Sequence, residues 1–189
     1  MRLADILHPR DLYLLINNAG FGDIGLFTET SAEKEIEMIN VNIKALHLLT
    51  KEVLRDLVDK DRGYILNVAS IAGLLDGGPW MAAYYATKAY VASLTTSIAE
   101  ELRATASQVH ICALCPGPVN THFNDVAGVR FALKGMTAQA CVSAALSGMN
   151  RGRLIIVPGF FTKLSAIAAH FAPRRLQTFI TARVQRSKV

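Results

Sequence analysis

The sequence predicts an α/β domain built on a parallel sheet. Two observations support this. Short apolar runs ending in Gly, Pro, Asn or Ser alternate along the chain with longer segments whose apolar residues recur every three or four positions. The apolar runs themselves are nearly continuous, as expected of strands covered on both faces by helices. At 189 residues, about half of them hydrophobic, the chain is long enough for one domain with a real core and too short for two large ones.

A short helical stretch, Leu3 to Leu7, precedes the first strand, LYLLINNAG (Leu12 to Gly20), which reads as buried on both faces. A long helix follows in ETSAEKEIEMINVNIKALHLLTKEVL. Thr30 and Glu33 form a capping-box pattern, and Ile36, Ile39, Ile43, Leu46, Leu49 and Val53 recur at helical spacing. GYILNVASIAG (Gly63 to Gly73) is a second buried strand running into a loop. MAAYYATKAYVASLTTSIAEEL is a long alanine-rich helix, and VHICALCPGP (Val109 to Pro118) is a third strand stopped by Pro-Gly-Pro. GMTAQACVSAALSGM reads as a helix and RLIIVPG as a fourth strand.

The pattern changes after Pro158, so residues 1–158 form the domain and residues 159–189 a tail. Phe160, Phe161, Leu164, Ile167, Ala168 and Phe171 mark one apolar helix face. Pro173 breaks that helix, and Leu176, Phe179, Ile180 and Val184 mark a second face. The tail is basic: 8 of the 20 Lys and Arg lie between Asn150 and Val189, with no Asp or Glu among them. Its stripes read as packing on the chain's own domain or on a partner subunit, with peripheral contact to an anionic membrane as the other reading.

Composition excludes several classes. Three cysteines cannot pair fully, so a disulfide framework is not expected, and a reducing, cytoplasmic location is. The start carries Asp5 and no long apolar core, so no signal peptide is read. No run reaches the roughly 18 uncharged apolar residues of a membrane span. The tail's charge has no accompanying aromatic-basic module, so no nucleic-acid partner is expected. The five histidines make no metal spacing, and His122 reads as a loop residue. Cys112 and Cys115 spell C-x-x-C inside a strand, where residues three apart face opposite ways; they read as core, with no metal or redox role.

Two motifs bear on chemistry. Gly20, Gly22 and Gly25 match G-x-G-x-x-G after a strand, but the helix signal begins only near Thr30. The glycines therefore read as shaping a loop rather than cradling a pyrophosphate. In MAAYYATKAY, Tyr84 and Lys88 share a helix face at i, i+4, and Tyr85 nearly does at i, i+3, whereas Tyr90 lies on another face. Spacing alone leaves both Tyr84 and Tyr85 as partners for the lysine.

These segments, NNAG (Asn17 to Gly20), VN with Asn42, ILNVAS with Ser70, YYATK with Tyr84 and Lys88, and PGPVNT (Pro116 to Thr121), stand in one order. Together they resemble the short-chain dehydrogenase/reductase family over nearly all of the chain up to Pro158. The resemblance implies a Rossmann-like three-layer α/β/α fold with a parallel sheet, N-terminally incomplete, with about four of seven strands present. LYLLINNAG would be the family's fourth strand, and the resemblance then implies that the chain lacks the glycine-rich cofactor-binding segment.

The family pattern Tyr-x-x-x-Lys selects Tyr84 as the acid/base and leaves Tyr85 as a wall residue. Lys88, with the nicotinamide, would lower the Tyr84 pKa and would hold ribose hydroxyls. Ser70 would donate a hydrogen bond to the substrate oxygen, and Asn42 would anchor a water leading protons to Lys88. Asn18, Ala19, Gly20, Pro116, Gly117, Val119 and Thr121 would border the cofactor, with Val119 and Thr121 at the carboxamide. The implied function is an NAD- or NADP-dependent interconversion of a small-molecule carbonyl and alcohol, by a homo-oligomer. The alternative is a noncatalytic truncated remnant, or a fragment of a longer protein, acting only through its core and an oligomer interface. Binding of NAD or NADP by this chain alone is expected to be weak, and the sheet edge left by four strands is expected to be exposed.

Overall fold

The computed structural model describes residues 12–121, 123, 127 and 135–186. The helix expected at Leu3 to Leu7 and the loop residue His122 lie outside the described residues. The elements run β1 (Leu14–Asn17), α1 (Ala32–Ile39), a π-helical turn (Asn40–Ala45), α2 (Leu46–Asp59), β2 (Tyr64–Val68), a 3-10 turn (Ile71–Leu74) and α3 (Ala82–Ala104). They continue with β3 (His110–Leu114), β4 (Val119–Asn120), β5 (Met136–Thr137), α4 (Ala138–Asn150), β6 (Ile155–Ile156), α5 (Phe160–Phe171) and α6 (Arg174–Arg186).

The four expected strands form one parallel sheet in the order β1-β2-β3-β6, and β4 pairs with β5 beside it. Side chains alternate across the sheet and divide the core in two. Leu66, Cys112 and Leu114 pack against Cys141, Ala145 and Met149 of α4. Their neighbours Ile65, Ile111 and Ala113 face the other way, onto α2 and α3 through Val53, Leu57, Val91 and Leu102. The result is the expected three-layer α/β/α sandwich. Cys112 and Cys115 fall into opposite layers, both fully buried as free thiols.

Three local expectations are corrected. First, β1 is not buried on both faces. Among the described residues it pairs only with β2, as the edge strand, and Leu14 and Ile16 are exposed. They point to the α4 side of the sheet, where α4 covers β2 and β3 but does not reach the edge. Second, the cap of α1 is Ser31 rather than Thr30. Ser31 has the extended backbone a cap needs, and its Oγ accepts from Lys34 N (3.2 Å) and donates to Glu33 (2.7 Å). Thr30 instead donates to Glu35 (2.7 Å). Third, Ile36 and Ile39 face outward, while Met38, Asn42, Leu46 and Thr50 are buried. A π turn takes more residues per turn than the roughly 3.6 of an α-helix. Steps of four therefore stay on one face here, and two polar residues join the buried stripe.

The tail forms the two helices read from its sequence, broken at Pro173, but their apolar stripes do not pack on the domain. Phe160, Phe161 and Phe171 of α5 and Phe179 and Ile180 of α6 are exposed, whereas Gln177, Thr181 and Gln185 are buried. Hydrogen bonds explain the inversion of α6. Gln177 Nε2 donates to Asp76 (3.2 Å) and to the Ala172 carbonyl (3.0 Å), and Gln185 Nε2 donates to Tyr85 Oη (2.5 Å).

The interior also holds a polar ladder. Asn17 Nδ2 donates to Asn67 Oδ1 (2.8 Å) and to Thr50 Oγ1 (3.0 Å), and Asn67 Nδ2 donates to Thr95 Oγ1 (3.0 Å). It joins β1, β2, α2 and α3 at buried positions. Asn67→Ala leaves the Asn17 amide and the Thr95 hydroxyl without their acceptor and donor. It should lower unfolding free energy by about 2–4 kcal/mol, read as a fall in the urea midpoint; an unchanged midpoint would show the ladder to be dispensable. Gly73, in the 3-10 turn, lies so close to α3 that an added Cβ would stand 2.3 Å from the Lys88 carbonyl oxygen. Gly73→Ala should therefore cost about 1–3 kcal/mol by the same measurement.

Candidate active site

The loops after β1, β2 and β3 open at one end of the sheet, and α3 runs alongside them. Between them lies a cleft of about 500 Å³. It sits outside the carboxyl ends of parallel strands, where open α/β sheets hold their ligands. Asn18, Gly20, Ser70, Tyr84, Lys88, Pro116, Gly117, Val119 and Thr121 all line it. Of the residues expected at the catalytic and cofactor site, Ala19 and Asn42 do not.

Ser70 ends the run after β2 and caps the 3-10 turn, its Oγ accepting from Ala72 N (3.1 Å). Tyr84 sits in the first turn of α3. Burial pushes its phenol up to about 12; a hydrogen bond with Ser70 works against this shift, and Tyr85 adds to it. Lys88, one turn further on, is buried with its Nζ donating to the Val68 carbonyl (2.9 Å) and 5.9 Å from the centroid of the Tyr84 ring. Burial brings its ammonium down to about 8, against a smaller opposing influence of Cys115. The lowering was expected of Lys88 and the nicotinamide together; in the chain by itself both side chains lose hydration and each shifts toward its neutral form.

Asn42 sits in the π turn and clamps the loop after β1. Its Oδ1 accepts from Phe21 N (3.1 Å), and its Nδ2 donates to Phe21 O (2.9 Å) and Thr87 Oγ1 (3.1 Å). Thr87 in turn donates to the Tyr84 carbonyl (2.8 Å). Gly20 lies against this cluster: a Cβ there would stand 2.9 Å from Asn42 Oδ1 and 3.2 Å from Lys88 Nζ. A Cβ added at Gly22 would stand 3.2 Å from the Tyr84 ring, and α1 starts only at Ala32, so the glycines shape a loop.

The other tyrosines separate clearly. Tyr85 packs its ring on Gly78 and bonds to Gln185, and its phenol is raised chiefly by burial. Tyr90 lies on another face, 2.7 Å from His47 Nδ1. Sequence reasoning missed Thr87, Gly73, the Val68 carbonyl and Gln185. Thr87 stands three residues from Tyr84, a spacing that could have drawn notice. Gln185 is 100 residues from Tyr85 and left no local signal.

A model of the short chain dehydrogenase family matches residues 5–128. The oxidoreductase UcpA of Escherichia coli K12 is 35% identical over 108 residues, covering 57% of this chain and 40% of that protein. The 2-dehydro-3-deoxy-D-gluconate 5-dehydrogenase of Bacillus subtilis is 34% identical over 118 residues, covering 62% and 45% respectively. The chain thus spans less than half the length of either relative. Among solved structures, a short-chain dehydrogenase from Sphingobium yanoikuyae in complex with NADPH superposes with a TM-score of 0.75 at 29% identity, covering 88% of this chain and 66% of that one. The family match runs through β1, β2, α3 and β3, the elements that build the cleft, and the chain belongs to the short-chain dehydrogenase family.

Proposed function

We propose that this chain carries the reaction centre of an NAD(P)-dependent oxidoreductase that interconverts a carbonyl and an alcohol. The observation that supports this best is the convergence of Ser70, Tyr84 and Lys88 on one cleft at the carboxyl ends of the strands. The cleft also fits the nicotinamide-ribose half of the cofactor. Gly20 and Gly117 give it walls without side chains, and Lys88 offers three N–H donors, of which one goes to Val68 O. Asn18, Gly20, Lys88, Pro116, Gly117, Val119 and Thr121 would hold that half, with Ala19 in the backbone beside them. The bound nicotinamide would supply or take the hydride.

In reduction, Tyr84 gives its phenolic proton to the oxygen of the substrate carbonyl as hydride reaches the carbon, yielding the alcohol. A phenol raised to about 12 is fully protonated at neutral pH and ready to donate. Ser70, hydrogen-bonded to Tyr84 and at the cleft wall, steadies the same oxygen. Lys88 can return a proton to the phenolate across the helix face it shares with Tyr84. Asn42 acts through others: it holds the Gly20–Phe21 backbone and, through Thr87, the first turn of α3. The substrate is a small molecule that fits between Met81, Tyr84, Phe123 and Val142.

Three outcomes are expected. Carbonyl reduction by the chain at high NADPH should fall by about 10²–10⁴-fold in Tyr84→Phe and stay near wild type in Tyr85→Phe; full turnover by Tyr84→Phe refutes the assignment. NADPH should bind the 189-residue chain more weakly than micromolar, because among the described residues Lys88 is the only charged side chain lining the cleft; a fluorescence titration checks this. The third is a pH effect on stability. Lys88 is depressed to about 8 from its usual 10.5, so below pH 8 the folded state carries the full cost of a buried ammonium. Between pH 8 and 10.5 the unfolded state binds the extra proton and stability is regained. Lys88→Met should therefore be more stable than wild type at neutral pH, with a gap that narrows as pH rises through that window. A gap independent of pH would show that Lys88 is not depressed.

A further inference from the structure

The tail presents its helices inside out. In α5 the half-buried stripe is Thr162, Ala166 and Ala169, all small, and no residue of that helix is fully buried. In α6 the buried stripe is Gln177, Thr181 and Gln185, four residues apart. Both inner stripes lie at the rim of the cleft. Thr162 packs on Gly117, Gln177 bonds to Asp76, and Gln185 bonds to Tyr85. The outer faces are apolar: Phe161 is 83% and Phe171 82% exposed, and Leu164, Phe179, Ile180 and Val184 are about half exposed. An exposed apolar surface of this extent on a helix pair marks an interaction surface rather than a free face. The helices cannot roll to hide it without breaking the Gln177 and Gln185 bonds and leaving Asp76 and Tyr85 without those partners.

Charge selects the occupant. Exposed Lys163, Arg175, Arg183 and Arg186 border the apolar faces, with Arg183 4.7 Å from the Phe179 ring centroid. Arg174 faces the domain's Asp76 (3.4 Å). From Asn150 to Val189 the sequence has no Asp or Glu. A second copy docked through the same patch would set these cations against their own equivalents with no carboxylate between them. A negatively charged lipid surface complements them and receives the apolar face as well. At 12 and 13 residues the helices measure roughly 18–20 Å, too short to cross a bilayer.

We propose that α5 and α6 dock flat on an anionic lipid bilayer. Their aromatic and aliphatic faces would sit below the headgroups, with Lys163, Arg175, Arg183 and Arg186 at phosphate level. The test is co-sedimentation of the 189-residue chain with vesicles of phosphatidylcholine alone or mixed with phosphatidylserine. The expected result is pelleting with the anionic vesicles, roughly tenfold or more stronger than with neutral ones and weakened by added salt. Phe161→Ser with Phe179→Ser should abolish it while leaving the urea midpoint unchanged, since both side chains are exposed. Arg175→Gln with Arg183→Gln should weaken it roughly tenfold. A chain that stays in the supernatant with both vesicle types overturns the proposal. If light scattering then reports a dimer that the double phenylalanine variant dissolves, the surface belongs to a second copy. Equal pelleting with neutral and anionic vesicles, insensitive to salt, also refutes it.

Discussion

The hydrogen bond from Asn17 to Asn67, 2.8 Å long and closed off from water, is the constraint on which the rest of the structure rests. A buried amide left unpaired is costly, so the two asparagines must meet, and they stand opposite each other in the β1–β2 register. Thr50 and Thr95 extend the ladder into α2 and α3, fixing both helices against the sheet. Each part of the cleft follows within a few residues. Asn18 to Gly20 leave the sheet directly after Asn17, Ser70 lies three residues beyond Asn67, and Lys88 lies two turns before Thr95. Apolar packing alone would allow these elements to slide; directional bonds between side chains set their register.

Burial governs the chemistry of the site as well. Tyr84 and Lys88 share a helix face, and simple Coulomb reasoning makes them an ion pair in waiting. The interior opposes that. Burial raises the phenol to about 12 and lowers the ammonium to about 8, so each moves toward its uncharged form. The proposed proton-donor role of Tyr84 draws on this shift, which favours the protonated phenol. The thiols of Cys112 and Cys115 show the same physics: burial pushes them up to about 12 as well, which favours the protonated thiol.

The tail has a double character. Its inner polar stripe closes hydrogen bonds at the rim of the cleft, through Gln185 to Tyr85 and through Gln177 to Asp76. Its outer stripe exposes phenylalanines among cations. One pair of helices thus joins the rim of the cleft to an exposed apolar face.

Sequence alone determined what depends on local order. Runs of apolar residues marked the four strands, proline marked the break between α5 and α6, and five motifs in one order marked the family. The family spacing separated Tyr84 from Tyr85. Tertiary structure decided what depends on the neighbour across space. The phase of α1 and α2 shifted because a π turn, invisible to a regular 3.6-residue periodicity, brought Asn42 and Thr50 inside. The outer face of β1 is exposed because no described helix reaches the sheet edge, although its residues read as core. The apolar faces of the tail point outward because glutamines found partners as far as 100 residues away. Periodicity shows that a helix has two faces; which face is buried is set by the groups it meets, and those come from elsewhere in the chain.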